Sequence, residues 1–379
     1  MNLFRIYLSN IKKLIKKHKK EINFNNQSCL KNIVVETPPD EYDFDFSSNA
    51  AMVLAKEMKS NPRNIAETIK KILINNSKDF STIEIAGPGF LNFKLTKNSW
   101  LKIINNIFKN QKKYGSSGNK KKINIEFVSA NPTGPMHVGH CRGAIFGDVL
   151  SNLLKFNGNK VTKEFYVNDY GNQINDFTKS VYFRLREIMF NENFPNEKNL
   201  YPGEYIVDIA KIILKKNKKI DIKDYKKIHL YLKKESIKHS MSLIKSDLKK
   251  LGINHDLFYA ESELIKNDIV KKTINRLKKS KFVVEGFLDP PKGEPQQDWK
   301  QIKRLIFKST LFGDDSDRAL QKNDGTWTYF ANDVAYHSTK VSKKYDYLIN
   351  ILGSDHTGYI KRTSAAVSAL SNGKSNLIC

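Results

Sequence analysis

Apolar and polar positions in the middle of the chain follow two periods in turn. Residues 123–128 form a short apolar, β-branched run, and residues 131–135 are turn chemistry. From Val138 the apolar residues Ile145, Val149, Leu150, Leu153 and Leu154 recur at helical spacing, until Asn157-Gly158-Asn159 stops them. Residues 161–167 read as the next strand, and residues 168–173 follow it before a helix over 174–189. Strand, helix, strand, helix predicts a parallel sheet with helices on its faces.

Flanking this centre the pattern differs. Residues 1–115 predict a small α+β domain. An amphipathic helix fills the first twenty positions, Asn61-Pro62 opens another over 63–74, and two alternating strands at 82–85 and 90–95 flank Gly87-Pro88-Gly89. The Gly, Ser and Lys run at 114–122 has linker composition. Residues 116–190 then form the first half of a sheet domain. Residues 191–304 read as an inserted, helix-rich subdomain, with a long lysine-rich helix over 223–251, a shorter one over 263–279, a strand at 281–285 and a loop at 290–293. Residues 305–379 return to the sheet: strand-like 304–310, segments 318–321 and 327–330 around an Asn323-Asp324-Gly325 turn, a helix over 331–344, a buried-type strand at 347–352 and a helix over 357–370.

Composition bounds the function classes. Lys and Arg total 65 against 39 acidic residues, a formal net charge of +26, which favours a polyanionic partner such as nucleic acid. Arg supplies only nine of the 65 in a chain crowded with Lys, Asn and Ile, so charge alone does not decide the matter. Three scattered cysteines, Cys29, Cys141 and Cys379, predict neither a disulfide framework nor a Cys-pair zinc site, and fit a reducing cytoplasm. No apolar run approaches the roughly 18 residues of a spanning helix, so no membrane partner is expected. Sparse Ser and Arg and the lack of a signal-peptide core count against a transit or signal reading of the first helix.

Candidate chemistry concentrates where the first strand of the sheet meets its helix. Such a junction presents backbone N–H groups and a positive helix end at the carboxyl edge of a parallel sheet, where phosphates bind. His137 and His140, at i and i+3, face one side of that helix start, and two imidazoles there can donate to a phosphate oxygen. Gly139 between them leaves the backbone bare for a flat purine.

The stretch Ile125-Glu126-Phe127-Val128-Ser129-Ala130-Asn131-Pro132-Thr133-Gly134-Pro135-Met136-His137-Val138-Gly139-His140 resembles the signature region of arginyl-tRNA synthetases, class I aminoacyl-tRNA synthetases of the His-x-Gly-His type. Three further stretches resemble the family in its order: Tyr166-Val167-Asn168-Asp169-Tyr170-Gly171-Asn172-Gln173, Trp327 through His337, and Gly353-Ser354-Asp355-His356-Thr357-Gly358-Tyr359. The resemblance covers nearly all of the chain, residues 1–115 matching the family's additional domain, which touches the tRNA elbow. It implies a Rossmann-type α/β catalytic domain and ATP-dependent ligation of L-arginine to tRNA(Arg) through an arginyl-adenylate. It further implies Mg2+ on the phosphates, a cytoplasmic location and a monomer. Residue by residue it implies ATP binding by His137, Gly139, His140, Gly353, Asp355 and His356, with His137 and His140 catalytic. Arginine binding falls to Glu126, Asn131, Tyr329 and Asp333, and no residue is expected to hold a metal. Carboxylates suit a guanidinium because they accept from it in a bidentate fork.

Lys340-Val341-Ser342-Lys343 resembles the second class I signature, Lys-Met-Ser-Lys, but precedes the strand at 347–352, whereas the family's loop follows the last strands. A solvated lysine face is expected there instead. Family members continue beyond position 379 with that loop and a helical anticodon-binding domain, so a C-terminally truncated chain is expected. Two rival readings follow: a non-catalytic tRNA-binding fragment, and a nucleotidylyltransferase, which shares the His-x-Gly-His loop but predicts neither the 168–173 stretch nor the first domain.

Overall fold

The computed structural model describes residues 3–25, 27–116, 118, 120–288, 302–353 and 357–379. The chain divides into two compact units, Met1–Gly118 and Asn119–Cys379. The loop expected at 290–293 lies outside the described residues.

In the first unit, helices α1 (Leu3–Lys17), α2 (Lys19–Ile22), α3 (Ala50–Met58) and α4 (Pro62–Asn76) cover a sheet of β1 (Val35–Glu36), β2 (Phe46–Ser48), β3 (Phe80–Ala86) and β4 (Phe90–Leu95). The sheet is antiparallel in the order β1-β2-β4-β3. Pro62 occupies the first position of α4, where its missing N–H costs nothing, and the Asn61 side chain caps the helix by accepting from Arg63 N. Tyr7, Phe46 and Phe93 stack through the core with centroids 4.8 Å apart. A helix that the periodicity reading passed over, α5 (Lys97–Asn110), starts at a Thr96 side chain that accepts from Ser99 N.

The second unit is built on a five-stranded parallel sheet. Its strands are β5 (Lys122–Glu126), β6 (Lys160–Val167), β7 (Leu257–Ala260), β11 (Tyr347–Asn350) and β12 (Asn376–Ile378), in the order β12-β11-β5-β6-β7. The chain leaves β5 toward β6 and β7, and later returns to the other side of β5 with β11 and β12. The carboxyl ends of β5 and β11 are therefore a topological switch point, the crevice where open α/β sheets bind ligands.

Because strand side chains alternate, β5 serves two cores. Ile123, Ile125 and then Phe127 pack with α6 (Val138–Phe156) and with Met241, Ile244 and Leu248 of α9 (Tyr225–Lys250). Asn124 and Glu126 face the opposite side, under α12 (Tyr329–Ser342), which packs with α11 (Ile269–Lys279) and α13 (Thr357–Ser371). Helix α7 (Asn172–Phe190), helix α8 (Glu204–Lys216) and α9 close a separate core around Phe177, Ile206 and Leu232. A short helix α10 (Ser262–Lys266) and a three-stranded antiparallel sheet of β8 (Val283–Gly286), β9 (Arg304–Phe307) and β10 (Arg318–Ala319) complete the unit.

Three expectations are corrected. The segment 191–304 is not one insertion, because β7 inside it pairs in parallel with β6 as the edge of the main sheet. Four residues with no alternation, behind a long lysine-rich helix, carry too little periodic signal to be read as a core strand. Helix α12 begins at Tyr329 instead of 331, since the Thr328 side chain accepts from Ala331 N and caps it there. Lys340 is not on a solvated face: it is a fully buried residue of α12, on the side that faces the sheet.

Candidate functional site

Beyond β5 the backbone turns through two left-handed residues, Val128 (φ 69°) and Ser129 (φ 42°). A β-branched residue is strained in that region, so surrounding contacts must hold the turn. The Ser129 hydroxyl donates to Glu126 Oε1 at 3.2 Å and accepts from Tyr166 N at 3.1 Å, pinning it from β5 and β6. From behind, His255 lies 4.2 Å from the Phe127 ring, with Nε2 3.3 Å from the Phe127 carbonyl. Burial pushes the His255 pKa down to about 4, so the neutral ring donates from Nε2. Gly147 of α6 lets the helix close on this turn, since a Cβ there would come within 2.3 Å of the Phe127 ring.

The turn delivers His137 as the N-cap of α6, with His140 in its first turn. The two rings stack at 3.7 Å with 25° between their planes. Gly139 N–H donates to His137 Nδ1 at 3.2 Å, and His137 N–H donates to His140 Nδ1 at 3.3 Å. Both Nδ1 atoms are therefore acceptors, which places the ring proton of each neutral histidine on Nε2. Burial, then the neighbouring His137, lowers the His140 pKa and favours that neutral form. The result is two Nε2–H donors at the positive end of a 19-residue helix. At Gly139 a Cβ would approach His137 Cε1 to 3.0 Å, so only a bare backbone leaves the stacked rings undisturbed.

On the α12 side of the switch point, three strands contribute a row of polar side chains: Asn350 of β11 pairs in register with Glu126 of β5, which pairs with Glu164 of β6. Lys340 Nζ lies 2.5 Å from Glu126 Oε2, and Tyr336 Oη lies 3.0 Å from the same oxygen and 2.8 Å from Glu164 Oε1. Burial alone would raise the Glu126 carboxyl, but the Lys340 ammonium, by charge and hydrogen bond, holds it below the ordinary range.

Among the described residues, two neighbouring carboxylates have no such partner. Asp333 is a half-buried residue of α12, and burial together with the charges of Glu126 and Glu261 pushes its pKa up to about 7, against a weaker pull from Arg362. Burial, with a further contribution from Asp169, raises Glu261; Asn332 Nδ2 donates to it at 3.3 Å and partly opposes that rise. Among the described residues neither has a Lys or Arg nitrogen within ion-pairing distance. Burial and the surrounding carboxylates push the Tyr166 phenol far up, so it remains a neutral donor among them.

The remaining expected residues stand as follows. Asn131 bridges Asn168 Nδ2 and Gln173 Oε1, tying the signature turn to the 168–173 stretch. Tyr329 is 77% exposed one turn ahead of Asp333, and its described ring contact is Lys322 Nζ at 5.6 Å. Gly353 is exposed beyond β11, while Asp355 and His356 lie outside the described residues. Periodicity missed Glu261, Lys340 and Tyr336. Glu261 directly follows a four-residue strand, and the other two are ordinary helix residues until the fold buries them.

Known proteins resemble this chain in sequence and in fold. Residues 9–95 match the family model described as the arginyl tRNA synthetase N terminal domain, and residues 103–372 match tRNA synthetases class I (R), catalytic domain. The chain is 50% identical over 382 residues to the arginine–tRNA ligase of Pelagibacter ubique, spanning all of this chain and 66% of that protein. It is 46% identical over 358 residues to that of Ehrlichia ruminantium, covering 93% of this chain and 61% of the relative. The chain thus spans a little under two thirds of the relatives it matches. In fold it is similar to the Thermus thermophilus arginyl-tRNA synthetase, with a TM-score of 0.68 at 17% identity over the whole chain and 65% of that structure.

Proposed function

Because the chain belongs to the arginyl-tRNA synthetase family of class I aminoacyl-tRNA synthetases, we propose that it carries the activation site for ATP-dependent attachment of L-arginine to tRNA(Arg). One arginine carboxylate oxygen attacks the α-phosphorus of ATP and pyrophosphate leaves, giving arginyl-adenylate. A ribose hydroxyl of the terminal adenosine of tRNA then attacks the acyl carbon, and AMP leaves.

In this reading His137 and His140 donate from Nε2 to the phosphate as its charge develops, and Gly139 gives adenosine access to the backbone. Removing one such preorganised donor costs about 3 kcal/mol. Asp333 and Glu261 take the guanidinium, with Tyr166 and Tyr329 at the pocket wall. Glu126 and Asn131 orient the α-ammonium end toward the phosphate, and Gly353, Asp355 and His356 complete the adenosine side. Catalysis is positioning and electrostatics. Mg2+ would arrive on the triphosphate; among the described residues no three His, Cys, Asp or Glu side chains converge on a metal position, so no protein group is given that role. The formal charge of +26 and the N-terminal unit suit a tRNA partner.

The observation that carries the reading is the juxtaposition, at one switch point, of a doubly donating histidine cap and two carboxylates that, among the described residues, have no Lys or Arg nitrogen within ion-pairing distance. It is tested by arginine-dependent ATP–pyrophosphate exchange with tRNA(Arg) present. Exchange is expected to fall about a hundredfold or more in His140→Ala, and full exchange in that variant overturns the assignment. The chain's share of its relatives' length favours a second reading, binding of tRNA without catalysis; charging of tRNA(Arg) by the 379-residue chain itself discards it.

A further inference from the structure

We infer that Lys340 is a positioning residue for the amino-acid substrate: a built-in counter-cation that occupies Glu126, so that Asp333 and Glu261 are left as the carboxylates open to the incoming guanidinium. The inference rests on the arginine reading of this pocket.

All three ammonium protons of Lys340 have destinations inside the protein. One meets Glu126 Oε2 at 2.5 Å, one meets Asn350 Oδ1 at 3.3 Å, and the group sits 4.4 Å from the Tyr336 ring centroid, where the π face takes the third. None remains for a substrate, so Lys340 can act on one only through its partners. Its side chain has no exposed area, which separates it from the solvated lysines elsewhere on the chain.

Those partners lead to both ends of the pocket. Asn350 Nδ2 donates to His337 Nε2 at 3.1 Å, and His337 Nδ1 donates to the Asp333 carbonyl at 2.8 Å. Burial, followed by the Lys340 charge, drives the His337 pKa to about 4, consistent with a neutral ring that donates at Nδ1 and accepts at Nε2. Lys340 therefore fixes Glu126 directly and ties β11 to the backbone of the residue that presents Asp333. Without it, three carboxylates would share one cleft with only the weak pull of Arg362 on Asp333 to offset them, and Glu126 would compete for the guanidinium instead of facing the α-ammonium end.

Binding of L-arginine and of ATP to the 379-residue chain, measured by titration calorimetry on wild type, Lys340→Met, Glu126→Gln and the double variant, tests this. Breaking one side of a buried pair leaves an uncompensated charge, whereas removing both sides is often tolerated. Lys340→Met is expected to bind arginine about tenfold or more weakly with ATP affinity within about twofold of wild type, and the double variant to recover at least about threefold over Lys340→Met. Equal arginine affinity in wild type and Lys340→Met, or a double variant no tighter than Lys340→Met, overturns the inference. Should Lys340→Met not fold, Glu126→Gln decides. It leaves an unpaired ammonium beside the guanidinium's place, so it must bind arginine more weakly than the double variant, and equality or the reverse order overturns the inference. Wild type that binds ATP but no arginine removes the arginine reading itself, and the role of Lys340 with it.

Discussion

Asp333 offers the most quantitative test of the arginine pocket. With its pKa pushed up to about 7, the carboxyl is half protonated in the free protein at neutral pH. A guanidinium accepted there stabilises only the ionised form, so binding expels the proton. The sign is fixed: affinity rises with pH until Asp333 is ionised in the free protein, then levels off. Apparent Kd lies about twofold above its high-pH limit at pH 7, about tenfold above it at pH 6 and about a hundredfold above it at pH 5. The groups facing Asp333 do not cancel this. Glu126 on β5 is kept ionised by Lys340, Tyr166 on β6 stays neutral, and His337 is neutral over this range. Arg362 on α13 pulls only weakly on Asp333, and Glu261 beyond β7, itself raised, adds to the same slope. Calorimetry at pH 7 in two buffers of different ionisation enthalpy should report about half a proton released per arginine from Asp333, and Asp333→Asn should abolish that share. An affinity flat between pH 5.5 and 7.5, or proton uptake on binding, refutes the assignment of Asp333 as guanidinium acceptor.

Two packing predictions accompany the exchange and calorimetric tests above. In Gly147→Ala the new Cβ would lie 2.3 Å from the Phe127 ring, and since both residues are locked in the core, unfolding stability in urea should fall by about 1–3 kcal/mol or more. A wild-type urea midpoint in that variant would mean that α6 stands further from the signature turn. In Gly139→Ala the Cβ meets His137 Cε1 at 3.0 Å, a contact the ring relieves by shifting a few tenths of an ångström off His140. ATP affinity should drop by about tenfold with the urea midpoint unchanged; equal loss of arginine affinity would show that the two subsites are not separate.

Much of this architecture was legible in local pattern. The strand, turn and helix around residues 123–156 follow from an apolar run, turn residues and helical spacing, and the structure places β5, the left-handed pair and α6 in that order. The Asn61-Pro62 start of α4 is equally local, because a cap and a proline act on the backbone beside them. The position of β7 was not legible, since four residues carry no measurable period and their place at the sheet edge depends on pairing with β6.

By itself the sequence determined most of the elements, the histidines at i and i+3 and the family to which the chain belongs, because these depend on residues close together in the chain. Tertiary structure alone decided how charge is distributed in the pocket. Glu126 and Lys340 are 214 positions apart, and their pairing exists only because β11 returns beside β5 and α12 crosses the switch point. The same crossing turned a lysine expected in water into a buried counter-ion, and brought Glu261 from the end of β7 to within hydrogen-bonding reach of Asn332, beside Asp333 on α12. Burial and distance set which carboxylate is answered and which is open, and neither quantity is a property of a residue before the chain has folded around it.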